Sequence, residues 1–192
     1  MKLILTTLIT LALIFNSENA AKNNEAEEAT ANATVSYFET GANANFEVGE
    51  PLYLDVDKDG ISDFLFHTVS YHEEGAVRTK YMVKGLNNNE VLAASGHAAI
   101  TEDGETVSSE PAFNNVSWSD THAEILEGVV DGNGQSYNGT WSGDRSQYIG
   151  FKLVKEGKEY YGFAEVSIDP VNEKASVPGY AINRAAGQNI QI

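Results

Sequence analysis

The stretch QYIGFKLV (147–154), KEGK (155–158), EYYGFAEVSI (159–168) sets the fold class of this chain. Two runs rich in aromatic and branched residues flank a short polar segment containing a glycine, the pattern of two strands joined by a turn. Outward from it, comparable runs recur at 34–38, 51–56, 61–69, 77–83, 90–100 and 175–183, divided by Gly- and Asn-bearing breaks at 85–89, 102–104 and 132–134. Many short strands with such punctuation predict an all-β domain, an antiparallel sandwich of jelly-roll-like form or a barrel. One segment competes. Thr121-His122-Ala123-Glu124 fits a capping box ahead of Ile125 and Leu126, and Gly128 would end it, so a turn or two of helix is expected there. No internal repeat is evident, which argues against a multi-bladed propeller.

Between two of these strands lies Asp55-Val56-Asp57-Lys58-Asp59-Gly60-Ile61-Ser62-Asp63. Asp-Gly alone is a common turn signal, but a turn leaves Asp55, Asp57 and Asp63 as like charges set close together without purpose. Ca²⁺ takes six to eight oxygen ligands, and a D-x-D-x-D-G-x-x-D loop supplies them. The expected ligands are the side chains of Asp55, Asp57, Asp59 and Asp63 with the carbonyl of Ile61. Gly60 sits where the chain must turn around the ion, a conformation open to a residue without Cβ. An EF-hand is not expected: its twelfth position falls on Phe66, where that motif needs a bidentate Glu, and the flanks read as strands. The loop resembles the short calcium loops of FG-GAP repeats in integrin-like propellers, present here in one copy.

The chain opens with Met1-Lys2, an apolar run from Leu3 to Phe15 and then small and polar residues to Ala21, the pattern of a secretory signal peptide over 1–20. The run is too short for a good membrane span, which needs about 20 apolar residues, so no span is expected in the mature protein. Residues 21–34 (AKNNEAEEATANAT) carry almost no apolar side chain larger than alanine and predict a flexible acidic leader. Residues 35–192 are then the size of one domain. Cysteine is absent, so neither a lipoprotein nor a disulfide-stapled fold is expected. A formal net charge of −16 opposes binding to nucleic acid, which requires basic surface, and to anionic membranes. The expected location is secreted or periplasmic.

A second resemblance runs through the last third: Trp141-Ser142-Gly143-Asp144, Tyr148 to Leu153, Tyr160 to Ser167, and Gly179-Tyr180-Ala181. With the Asp55 to Phe66 stretch, these segments look like a group of uncharacterised secreted bacterial β-rich proteins that often carry PEP-CTERM sorting signals. Phe163 stands where that group usually has Trp, and the sorting helix is not found before Ile192, so anchoring by that route is not expected. The resemblance implies an exported β-rich domain and brings no established activity.

Other chemistry has less support. His67, His72, His97 and His122 show no metal-binding spacing, G-x-S-x-G is missing, and Ser95 and His97 do not make a triad by themselves. Glycosidase carboxylates cannot be picked out from 28 acidic residues. Trp118, Trp141, Tyr148, Tyr160 and Tyr161 would offer a sugar platform if exposed, but such residues usually fill β cores. The expectation is therefore an exported, non-enzymatic calcium-binding β-sandwich with a structural or adhesive role, its partner an extracellular glycan or surface protein. The alternatives are a carbohydrate-binding module and, behind it, a polysaccharide-acting enzyme.

Overall fold

The computed structural model describes residues 34–41, 44–111, 115–139, 141, 147–169 and 174–192. The expected signal peptide, and the expected leader up to residue 33, lie outside the described residues. The strands are β1 (Val35–Glu39), β2 (Asn45–Phe46), β3 (Leu52–Leu54), β4 (Phe64–Glu73), β5 (Ala76–Gly85), β6 (Glu90–Ala94), β7 (His97–Ala98) and β8 (Ile100–Thr101). They continue as β9 (Thr106–Val107), β10 (Ser117–Ser119), β11 (Ala123–Asp131), β12 (Gly134–Asn138), β13 (Gln147–Lys155), β14 (Lys158–Asp169), β15 (Lys174–Asn183) and β16 (Ile190–Gln191). Among the described residues there is no helix, and hence none long and apolar enough to cross a membrane.

The hairpin at 147–168 forms as its sequence predicts. Lys155 pairs with Lys158, leaving Glu156 and Gly157 as a two-residue loop. Both have positive φ, 53° and 73°, the geometry whose twist matches that of the flanking strands. Glu74-Gly75 and Ser95-Gly96 repeat this device, at 51° and 82° and at 51° and 85°. The Ser95-Gly96 turn divides the run expected at 90–100, so that β6 and β7 pair with each other.

The main sheet follows the order β1-β15-β14-β13-β6-β7-β11-β5-β4-β3, and β16 pairs with β9 apart from it. Among the described pairings, strands run antiparallel except for the parallel contact between Glu124 of β11 and His97 of β7, and an isolated parallel bridge joins Val48 to Thr68 of β4. The ends of the order, β1 and β3, do not pair with each other, so the sheet does not close into a barrel. It doubles over itself instead, as a sandwich. Phe64 and Phe66 of β4 and Tyr81 and Val83 of β5 share one buried cluster with Ile149, Phe151 and Leu153 of β13, Val166 of β14 and Ile182 of β15. The rings of Phe64 and Phe151 lie 4.8 Å apart across that core. Burying such side chains stabilises by roughly 1.5–3 kcal/mol each, and with no cysteine this core is what holds the two halves together.

The helix expected at 121–128 is not formed; its residues run into β11. Tertiary pairing decides against the local capping signal. Leu126, Glu127, Gly128, Val129 and Val130 pair with Tyr81 through Val77 of β5, and a register shift between Glu124 and Leu126 lets both Ile125 and Leu126 be buried. Glu127 is 8% exposed. Its carboxylate accepts from the Tyr71 hydroxyl at 3.0 Å, Arg78 at 3.1 Å and the Asn138 amide at 3.2 Å.

Candidate metal centre

Leu54 of β3 pairs with Phe64 of β4, so residues 55–63 close the loop between two adjacent antiparallel strands. The Asp63 N–H donates to the Leu54 carbonyl at 2.8 Å and pinches the loop at its neck. Inside the loop Val56 is fully buried and joins the same core as Leu54 and Phe64, so an apolar plug fixes the acidic segment to the sandwich. The chain turns back at Lys58 and Gly60, with φ of 66° and 90°. The second of these falls on glycine, for which the left-handed region carries no steric cost.

The carboxylates organise the loop from within. Asp55 accepts the N–H of Lys58 at 2.7 Å and of Gly60 at 2.8 Å, Asp57 that of Asp59 at 3.1 Å, and Asp59 that of Ile61 at 2.9 Å. Short Asp side chains commonly bond backbone two or three residues on, which is how they favour turns. Asp63 is different. It is 6% exposed, accepts the Val56 N–H at 2.8 Å, and receives the Asn89 amide at 3.2 Å. Burial, chiefly, holds its carboxyl above the ordinary value, and the charges of Asp57 and Asp55 add to that, while the bond from Val56 opposes it.

Of the five expected ligands, Asp55, Asp57 and Asp63 come together, with one carboxylate oxygen from each lying within 4.8 Å of the others. This cluster could hold a metal ion. Asp59 points elsewhere, to the Lys155 ammonium at 2.8 Å, and this bond, together with the Ile61 N–H, holds its carboxyl below the ordinary range. Lys155 also donates to Asp57, and the two carboxylates together hold its ammonium above the usual lysine value. Ile61 is exposed, and its N–H rather than its carbonyl makes the bond that ties it to Asp59.

Two residues of the site were not singled out by the sequence. Asn89 closes the Gly85–Asn89 break, is 1% exposed, and bridges the Asp63 carboxylate to the Val154 N–H, which it accepts at 2.7 Å. Lys155 belongs to the turn of the 147–168 hairpin. Nothing in either short-range pattern announces a partner in the acidic loop, because both contacts are long-range in sequence. On the outer side, the Lys58 ammonium lies 5.3 Å from the Tyr180 ring centroid, and the Tyr180 hydroxyl donates to the Asp55 carbonyl at 3.4 Å.

The remaining candidates are placed as follows. Trp141 and Tyr161 are buried, Tyr160 packs on the core, and Trp118 lies against Tyr161 with the Lys152 ammonium 5.4 Å from its ring. These four do not form an exposed platform; Tyr148 lines an open groove, and Tyr160 lines a smaller one beside Asp57 and Lys155. His67 and His122, distant in sequence, meet edge to face at 5.0 Å, whereas His97 faces Glu124 at 3.6 Å. Compared with known protein families, curated proteins and solved structures, the chain shows no significant match.

Proposed function

We propose that this protein is an exported, non-enzymatic β-sandwich domain stabilised by Ca²⁺ in the 55–63 loop, with a structural or adhesive role outside the cytoplasm. The observation that carries the reading is the convergence of Asp55, Asp57 and Asp63 on a loop pinned to the core by Val56. Carboxylates favour hard cations such as Ca²⁺ over the soft metals that seek thiolates. The loop's turn is set by backbone N–H groups donating to its own carboxylates, so an ion finds oxygens already oriented; Asp57 would exchange an ammonium for the metal. Asp59 and the Ile61 carbonyl complete the set if the Lys155 contact opens. A domain without disulfides gains most from such an ion where calcium is plentiful, and the apolar run from Leu3 to Phe15 agrees with export.

The test is thermal unfolding with calcium, magnesium or chelator. Extracellular calcium modules have Kd near 10⁻⁴ to 10⁻³ M, so roughly 5 mM calcium should add about 1–2 kcal/mol, or roughly 3–8 °C. Magnesium, which needs octahedral geometry and gives up water reluctantly, should do much less. Asp57→Ala should remove most of the calcium response. Equal melting of wild type and Asp57→Ala in calcium and in chelator would defeat the proposal.

A further inference from the structure

A groove of about 960 Å³ opens at the β1 end of the main sheet, lined by Tyr37 of β1, Tyr148 of β13, and Phe163 and Glu165 of β14, together with Glu39 and Asp103. It shares no residue with the acidic loop. Tyr148 pairs with Glu165, and Glu165 with Gly179, so one row of the sheet runs ring, carboxylate, bare backbone. A Cβ on Gly179 would stand 3.0 Å from the Phe38 carbonyl oxygen and 4.0 Å from the Glu165 carboxylate; glycine leaves the floor open at that point.

The rings do not form a flat platform. Tyr37 meets Phe163 at 64° with centroids 6.3 Å apart, and Tyr148 meets it at 82° with centroids 5.4 Å apart. Phe163 is mostly covered, whereas Tyr37 is 70% exposed. Stacking on a sugar needs a broad open ring face. Packed edge to face on Phe163 and still largely exposed, the Tyr37 ring can offer a π face to a cation at the groove.

The charges point the same way. Among the described residues, Glu39, Asp103 and Glu165 take part in no ion pair, while the ion-paired lysines and arginines face other carboxylates. Glu165 pairs with Tyr148 across the sheet and Asp103 lines the same groove; burial, then these two charges, hold the Tyr148 phenol above its ordinary value. A cation seated there would meet ring faces and carboxylates together. The chain's own acidic leader (21–34) has three glutamates to one lysine and is a poor electrostatic match.

We infer that this groove binds the lysine or arginine side chains of a basic polypeptide segment from a partner protein. The end strand β1, which pairs on the sheet path with β15 alone among the described strands, borders the groove and offers an extended segment backbone to run beside. The inference gives the proposed binding role a partner chemistry and does not depend on calcium.

The test is titration of the full chain with fluorescent hexalysine, read by anisotropy at low and moderate salt. A surface of charge −16 attracts any polycation, so the variants decide. Tyr37→Ala leaves the charge unchanged and Glu165→Gln removes one carboxylate; each should weaken binding about fivefold, the order of a cation–π or short ionic contact. Glu74→Gln, in an exposed turn far from the groove along the chain, should change it less than about twofold, and Asp57→Ala should leave the Tyr37 and Glu165 effects in place. Circular dichroism and melting of each variant confirm that the fold is retained. Equal affinity for wild type and Tyr37→Ala, or equal loss in Glu165→Gln and Glu74→Gln, would overturn the inference as diffuse attraction. Neutral oligosaccharide binding that depends on Tyr37, with hexalysine indifferent to it, would overturn it in favour of a glycan.

Discussion

Lys155, at the end of β13, donates to the Asp59 carboxylate at 2.8 Å across 96 positions of sequence. The same ammonium holds Asp57, so the acidic loop between β3 and β4 is tied to the opposite half of the sandwich by a cation of the protein's own. A metal ion entering the loop must compete with that ammonium for Asp57. If the loop binds a metal ion as proposed, Lys155 would compete at the site as well as brace it.

Lys155→Met tests this directly. Without the ammonium, Asp57 and Asp59 repel their neighbours unopposed, and the variant should melt below wild type in chelator. With calcium the order narrows or reverses, because no internal cation has to be displaced. Calorimetric titration should find calcium bound severalfold more tightly than by wild type. Weaker calcium binding would mean that Lys155 positions the loop rather than competing for it.

Asp63 separates structure from metal. Its carboxylate accepts the buried Val56 N–H at 2.8 Å, so Asp63→Ala leaves that donor without a partner. An unsatisfied buried donor costs about 1–3 kcal/mol, and melting in chelator should show a loss of that order. Asp63→Asn retains an acceptor for Val56 and should lose less. Both should lose most of the calcium response. If the two variants melt alike in chelator, the Val56 bond contributes little to the stability of the loop.

The hairpin at 147–168, the break at 85–89 and the Asp-rich loop were legible because each rests on local chemistry: a turn that accepts positive φ, an alternation of apolar residues, carboxylates at fixed spacing. What was not legible rests on pairing between distant segments. The capping signal at Thr121–Glu124 was locally sound, but Ala123 to Asp131 gains more by filling the place beside β5. Asn89 looked like one of three turn asparagines and is the buried link from Asp63 to Val154. Asp57, Asp59 and Asp63 read alike in sequence, yet Asp57 and Asp59 each face Lys155 and one backbone N–H, whereas Asp63 faces the core. Only the fold assigns those roles.

The His67 and His122 pair predicts a pH dependence. Burial, and then the His122 charge, lowers His67 from 6.5; burial, and then the Lys84 charge, lowers His122 from 6.5. The buried Nε2 of His67 has no hydrogen-bond partner among the described residues. The folded state thus resists protons that the unfolded chain accepts below its ordinary pKa. Stability from this source is complete above about pH 6.5, falls as the pH drops below it, and levels off once the lowered folded values are passed. His67→Gln should flatten the melting profile between about pH 7.5 and 5. An unchanged slope in that variant would place the acid sensitivity elsewhere.

Asn89 is where the metal loop and the sandwich meet, and its removal should be felt in both. Its amide donates to the Asp63 carbonyl at 3.3 Å and carboxylate at 3.2 Å, while its own oxygen accepts the Val154 N–H at 2.7 Å. The turn that brings it there depends on Gly85, where a Cβ would lie 1.8 Å from the Asn89 carbonyl oxygen. Asn89→Ala leaves the Val154 N–H and one Asp63 oxygen without their partners inside the protein. Leaving the donor unmet costs about 1–3 kcal/mol, so melting in chelator should fall by roughly 3–10 °C. Freed of its amide donor, Asp63 should also hold its place in the cluster less firmly, and the rise with calcium should shrink without vanishing, because Asp55 and Asp57 are untouched. A variant that loses stability in chelator but keeps the full calcium rise would show that Asn89 braces the two half-sheets and leaves the orientation of Asp63 to the Val56 N–H alone.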